Sequence, residues 1–142
     1  MTYTNEKYTR GKSRQENVRY RDLDFSFTRN PITNDVKTLT DVQAVKKSVK
    51  NIILTSFYER PFQAELGSGI RRLLFEPMTP VLLVNLKERI EIAIKNFEPR
   101  AEIYDVAVNG NPDRNSIDVS IYFRLINGSE MIDLSLTLER TR

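Results

Sequence analysis

Apolar and polar residues along this chain follow two different periods. Leu23, Phe25 and Phe27 alternate with Asp22, Asp24 and Ser26, the period of two that predicts a half-buried strand. Asn30-Pro31 and Asn34-Asp35 carry turn chemistry, and residues 36–39 suit a short returning strand. The period then lengthens. Val42, Val45, Val49, Ile52 and Ile53 fall at helical spacing, with Lys46, Lys47 and Lys50 on the opposite face. This predicts an amphipathic helix of about four to five turns, ending near Phe57 or Tyr58. Thr40 is its expected N-cap, with Gln43 as the reciprocal partner of a capping box. Pro61 prevents the helix from continuing.

Ser68 is placed to cap a short helix running from Gly69 to about Phe75, with Pro77 as its stop. Thr79-Pro80 opens the next helix, because a proline at the first helical position gives up an N–H that would be unpaired anyway. Its apolar stripe is Leu82, Leu86, Ile90, Ala93, Ile94 and Phe97, and Glu91 and Lys95 are spaced for an i,i+4 pair. Pro99 ends it. Beyond lies sheet. Residues 103–108 read as a strand and residues 109–115 as a turn. Ile117, Val119, Ile121, Phe123 and Leu125 alternate with polar neighbours, Asn127-Gly128 signals a hairpin, and Ile132, Leu134, Leu136 and Leu138 alternate again. One apolar face of this meander suits a helical cover. The expected fold class is α+β: two long helices and one short helix packed on an antiparallel β-meander, with a short N-terminal β-hairpin.

Composition narrows the chemistry. The 142 residues amount to one domain, read here as 18–142, preceded by a polar, aperiodic arm at 1–17. Residues 1–21 hold six Lys/Arg and two Glu, a net of +4, and the remaining 16 Lys/Arg against 17 Asp/Glu leave a net of −1. The basic character therefore belongs to the arm, which is read either as solvated or as ordering against an acidic partner surface. Basic residues clustered on a folded face, as a nucleic-acid binder needs, are not expected. No cysteine and no histidine occur, which excludes disulfides, thiolate zinc sites and histidine-based catalysis. No apolar run approaches a membrane span, and the N-terminus lacks a signal-peptide pattern.

Several residues remain to be placed. Gly67-Ser68-Gly69 matches neither the dinucleotide fingerprint nor the P-loop. Glu59, Glu65, Glu76 and Glu98 supply carboxylates for glycoside hydrolysis. Each, however, sits beside an arginine or a proline turn, and a nearby arginine lowers a carboxylate's pKa, the wrong direction for a general acid. Arg60, Arg71 and Arg72 either pair with Glu59, Glu65 or Glu76 or face a neighbour. Phe62, Leu66, Ile70, Leu73, Leu74 and Phe75 are expected in the core. Glu98-Pro99-Arg100 stops a helix and sets a carboxylate and a guanidinium across a rigid proline, able to grip each other or a partner. If the last strand lies at a sheet edge, only Asp133, Glu139 and Arg140 blunt it, and it can template strand addition.

The stretch ERPFQAELGSGIRRLLFEP at residues 59–77 occurs together with Glu98-Pro99-Arg100, and the core opens with Asp22-Leu23-Asp24-Phe25-Ser26-Phe27, then Asn30-Pro31 and Leu39-Thr40-Asp41-Val42. This combination resembles the small baseplate-wedge family of contractile phage tails. These are sheath initiators with relatives in type VI secretion baseplates, sometimes labelled lysozyme-like. The resemblance spans about residues 18–140. It implies a structural subunit of the virion tail baseplate, assembled in the host cytoplasm in several copies around the tail tube. It places Glu98, Pro99 and Arg100 against other wedge subunits; Arg71 and Arg72, which the residues leave open to internal pairing or a neighbour, are candidates for the same surface. It makes the folded domain the first acceptor of extended arms from the tail sheath protein, and the edge reading offers Ile132, Asp133, Leu134, Ser135, Leu136, Thr137 and Leu138 as the candidate strand. No enzyme activity, cofactor, metal, membrane or nucleic-acid partner is expected. The other readings are a regulatory adaptor of the same fold that binds one partner and builds no ring, and a peptidoglycan-cleaving lysozyme-like enzyme.

Overall fold

The structure, a computed structural model, describes residues 20–139; the arm expected at 1–17 lies outside them. Strand β1 (Arg21–Leu23) pairs antiparallel with β2 (Thr38–Thr40), with Asp22 opposite Leu39. The N-terminal hairpin is therefore present, but its first strand stops short of Phe25 and Phe27, which are exposed. The cause is local: the Asp24 carboxylate accepts the Ser26 N–H at 3.1 Å and Phe27 turns to φ 50°. Such side-chain-to-backbone bonds offer the chain an alternative to the ladder.

Helix α1 (Asp41–Leu54) buries Ala44, Val45, Val49, Ile52 and Ile53, as its spacing predicts. Its start differs from the expected capping box. Thr40 is the N-cap without a side-chain cap bond, and the Asp41 carboxylate instead accepts the Tyr20 N–H at 3.0 Å. Its end comes at Leu54 rather than near residue 57, because the chain from residue 66 folds back on it. The Ser68 hydroxyl donates to the Ile53 carbonyl at 2.6 Å and the Ser68 N–H to the Thr55 carbonyl at 3.3 Å. Gly67 makes this approach possible. It sits at φ 133°, and a Cβ there would lie 2.4 Å from the Thr55 oxygen. The Gly67-Ser68-Gly69 loop is thus a clasp on the C-terminus of α1.

Helix α2 (Ile70–Leu73) is shorter than its pattern suggests and has Gly69, in the left-handed region, as N-cap. Ser68 only receives the Ile70 N–H at 3.4 Å. Phe62 and Phe75, expected in the core, are exposed; Phe62 sits at φ 67° on a loop that turns outward. Helix α3 (Pro80–Phe97) follows its sequence closely. Thr79 accepts the Leu82 N–H, Pro80 takes the first position, and Leu82, Leu86, Ile90, Ala93 and Ile94 are buried. Glu91 reaches back to Lys87 at 3.9 Å rather than on to Lys95.

Strands β3 (Ala101–Asn111), β4 (Ser116–Leu125) and β5 (Met131–Glu139) form an antiparallel sheet in the order β3-β4-β5. β3 is longer than expected and its turn correspondingly shorter. Asn127-Gly128 does not form a two-residue hairpin turn. Gly128 donates to the Leu125 carbonyl at 2.9 Å, which puts Ile126 and Asn127 at the centre of a turn within a longer connection at 126–130. Helix α3 lies mainly on β3, and α1 packs against α3 with a smaller contact on β5. Phe123, Ile121, Leu86, Ile90, Ile94 and Ile53 fill the space between the layers. This is the α+β architecture expected from the sequence.

Because Gly67 combines a left-handed φ with a backbone contact, Gly67→Ala should destabilise the fold by roughly 1–3 kcal/mol. Chemical denaturation of variant and wild type measures it.

Candidate assembly interfaces

Pro99 ends α3 so that Glu98, at the helix C-cap, turns inward and is only 2% exposed. A carboxylate in that position needs a partner, and Arg100 provides it. The Arg100 Nε donates to Glu98 Oε1 at 2.6 Å and Nη2 to Oε2 at 2.8 Å, a bidentate fork. The third guanidinium nitrogen, Nη1, reaches Asp22 of β1 at 3.3 Å. The guanidinium also lies 5.4 Å from the centre of the Tyr20 ring, within cation–π range. On the other side, the Ser48 hydroxyl of α1 hydrogen-bonds to Glu98. The triplet thus joins α1, α3, the N-terminal hairpin and the first residue of β3. The sequence left open whether the two charged groups grip each other or a partner. Here they grip each other.

The electrostatics agree. Burial works to raise the Glu98 pKa, but the Arg100 hydrogen bonds, the Ser48 hydroxyl and the guanidinium charge outweigh it and hold the carboxyl below its usual 4.5. Arg100 is held more firmly protonated, chiefly by its hydrogen bonds to Glu98. What remains for other molecules is Pro99, which is exposed, and the half-buried rim of Arg100. Arg71 and Arg72 project from α2, exposed and without an ion pair among the described residues. The internal pairings considered for Arg60 with Glu59, Glu65 or Glu76 do not form either; Glu59 accepts the Ser56 N–H at 2.8 Å instead. Beside Arg100, an open groove of about 500 Å³ runs between the hairpin and α1, with Arg21, Lys47 and Arg60 on its walls. Sequence reasoning missed Tyr20, Asp22 and Ser48 as partners of the triplet, and no local signal marks them.

The sheet has two edges of different character. Along β3 the register shifts between Ile103 and Asp105, a bulge that throws out Tyr104. Asp105 is bridged to Lys87 of α3 at 2.8 Å, and α3 packs along the strand. Bulge, charge and covering helix are the means by which an edge is blunted. β5 has neither bulge nor covering strand among the described residues. Its ladder orientation follows from the sheet. Ile126 donates to the Arg100 carbonyl at 3.1 Å, so the pair that begins the β3–β4 ladder is a hydrogen-bonded one. Main-chain groups alternate in direction along a strand. Those of Phe123, Ile121 and Val119 therefore point to β5, where they meet Ile132, Leu134 and Leu136. The main-chain groups of Met131, Asp133, Ser135, Thr137 and Glu139 face outward. Ile132, Leu136 and Leu138 turn their side chains into the core, whereas Asp133, Ser135 and Thr137 are exposed.

Among the described residues no cluster of acidic groups could hold a metal ion, and no helix is long and apolar enough to cross a membrane.

The profile of the family described as "Baseplate wedge protein gp25" matches residues 40–129, from the cap of α1 through the β4–β5 connection. The chain is 35% identical over 101 residues to the baseplate wedge protein gp25 of Enterobacteria phage T4, covering 70% of this chain and 75% of that relative. A chain from the baseplate of the anti-feeding prophage shares the fold at a TM-score of 0.60 and 24% identity, covering 83% of each. A Geobacter sulfurreducens protein provisionally named a tail lysozyme does so at 0.63 and 19% identity, covering 69% of this chain and 89% of that one. At such identities the structural likenesses speak for fold alone. The sequence matches define a structural component of a contractile-tail baseplate. The chain belongs to the baseplate wedge protein gp25 family, and its place is the tail baseplate of the virion.

Glu98→Gln should cost about 2–3 kcal/mol at neutral pH, the worth of charge-assisted hydrogen bonds. A carboxylate whose pKa is lowered by folding stabilises above its unfolded pKa and loses that contribution as pH falls through the folded value. The gap between wild type and variant should therefore narrow below the usual 4.5, as denaturant titrations across that range will show.

Proposed function

We propose that this wedge protein docks on the wedge core through the neighbourhood of Pro99 and Arg100 and through Arg71 and Arg72, and that it starts the tail sheath by accepting sheath strands on β5. The observation that carries the reading is the outward ladder of β5, set against the blunted β3. An incoming strand finds main-chain donors and acceptors from Met131 to Glu139, and the alternation of Ile132, Leu134, Leu136 and Leu138 fixes its register. Each added backbone bond contributes about 1 kcal/mol net, so binding rests on several bonds, on apolar contacts and on repetition around a ring. The exposed cations of α2 and the basic groove beside Arg100 suit an acidic surface on the core subunit.

The role is non-enzymatic in this reading. Glu98 has a lowered pKa and both oxygens engaged by Arg100, whereas a general acid requires a raised pKa.

Ser135→Pro tests the strand acceptor. Its N–H faces away from β4, so an edge proline should leave the fold intact. It should reduce sheath polymerisation from purified protein and sheath subunits by at least about tenfold, a barrier change of about 1.4 kcal/mol. Unchanged seeding by a folded variant would refute strand acceptance at β5. For the wedge face, Arg71→Glu with Arg72→Glu should shift stability by less than about 0.5 kcal/mol yet reduce recovery of core subunits in a co-expression pull-down. Full recovery would remove α2 from that interface.

A further inference from the structure

We propose that β5 takes a second occupant, the β5 of another copy of this chain, paired antiparallel across a two-fold axis at Ser135. The free protein at high concentration is then a dimer whose two acceptor rims are closed. That regulatory role rests on the strand-acceptor reading above, whereas the pairing stands on the strand itself. Two observations carry it. The first is the ladder. The main-chain groups of Met131, Asp133, Ser135, Thr137 and Glu139 face outward along an edge with no covering strand among the described residues. With Ser135 opposite its own equivalent, Asp133 lies across from Thr137 and Met131 across from Glu139. Every outward group of the nine-residue strand then meets another outward group, and each such pair exchanges two N–H···O bonds. The contact is self-complementary, as a two-fold interface requires.

The second is the side-chain pattern. On the solvent face, Asp133 and Glu139 are exposed without an ion pair among the described residues. In this register each stands across from a neutral residue, Thr137 or Met131. Sliding one strand by two residues in one sense sets Asp133 against Glu139, and in the other leaves Glu139 with no strand residue opposite it. Like charges directly opposite destabilise a strand pair, so the charges favour the register that engages the whole strand. On the core face, Leu134 is half-buried at the rim beside buried Ile132 and Leu136. Leu134 then lies across from Leu136 of the second copy, and Ile132 across from Leu138, so the apolar face runs on from one sheet into the next. An edge contact is narrow, and the cost of association offsets much of what its hydrogen bonds contribute. The pairing is therefore weak, with a dissociation constant on the order of 10 μM, and it yields to dilution or to a sheath strand.

Analytical ultracentrifugation of the full chain from about 1 to about 200 μM, a range that brackets this affinity, tests the proposal. Wild type should pass from monomer to dimer. Ser135 is exposed, and Ser135→Glu brings two carboxylates face to face at the axis. It should raise the dissociation constant at least about tenfold while the circular dichroism spectrum stays that of wild type. An equimolar mixture with Ser135→Lys should restore a dimer holding one copy of each, seen by native mass spectrometry. Wild type that stays monomeric throughout would overturn the pairing, as would Ser135→Glu dimerising like wild type or a mixture without mixed dimers. Sheath seeding separates this proposal from the strand-acceptor reading. Dimerisation of wild type, with normal seeding by Ser135→Pro, upholds the pairing and overturns strand acceptance. A monomeric wild type whose seeding is lost in Ser135→Pro does the reverse.

Discussion

The fold depends on one buried carboxylate. Glu98 lies at the junction of four elements, and an unpaired charge there would be untenable. The fork from Arg100 resolves this, and Pro99 between them sets the chain reversal that lets two residues so close in sequence face each other. The same guanidinium then reaches Asp22 and Tyr20, so the hairpin at the beginning of the described chain is held by residues near its middle. A surface-facing reading of the triplet has to accommodate this. Its charges are committed inward, and its outward offering is a proline and the flank of an arginine.

Legibility in the sequence divided along physical lines. Helix α3 could be read almost completely, because its cap, its first-position proline and its apolar stripe are all local signals. The alternation of β4 and β5 was equally clear, since both strands have one covered face. Alternation failed at Phe25 and Phe27, where a local Asp24 bond bends the chain and nothing covers the rings. The end of α1 was unreadable because it is imposed by Ser68, fifteen residues away. The partners of Glu98-Pro99-Arg100 were out of reach for the same reason, Asp22 being separated from Arg100 by 78 positions. The edge position of β5 was posed in the sequence as a condition and is met in the sheet order among the described residues.

The two candidate interfaces lie on different parts of the molecule. The triplet, the groove beside it and α2 gather cations around the helical layer, whereas the rim of β5 offers main chain and a slightly acidic flank. In the proposed reading, binding at the first would be governed by charge and shape, and binding at the second by hydrogen-bond ladder and register. A subunit with such separate chemistries can hold one partner without occupying the site for the other.

The unequal treatment of the sheet's two sides has a consequence for valency. A three-stranded sheet receptive on both flanks can extend in either direction, and copies of it stack into endless ribbons. With Tyr104 pushed out of line and Lys87 locked to Asp105, β5 is the flank that stays open among the described residues. Under the proposed strand acceptance, two copies that met flank to flank would saturate each other and stop, and growth would fall to a different polypeptide that brings its own second strand.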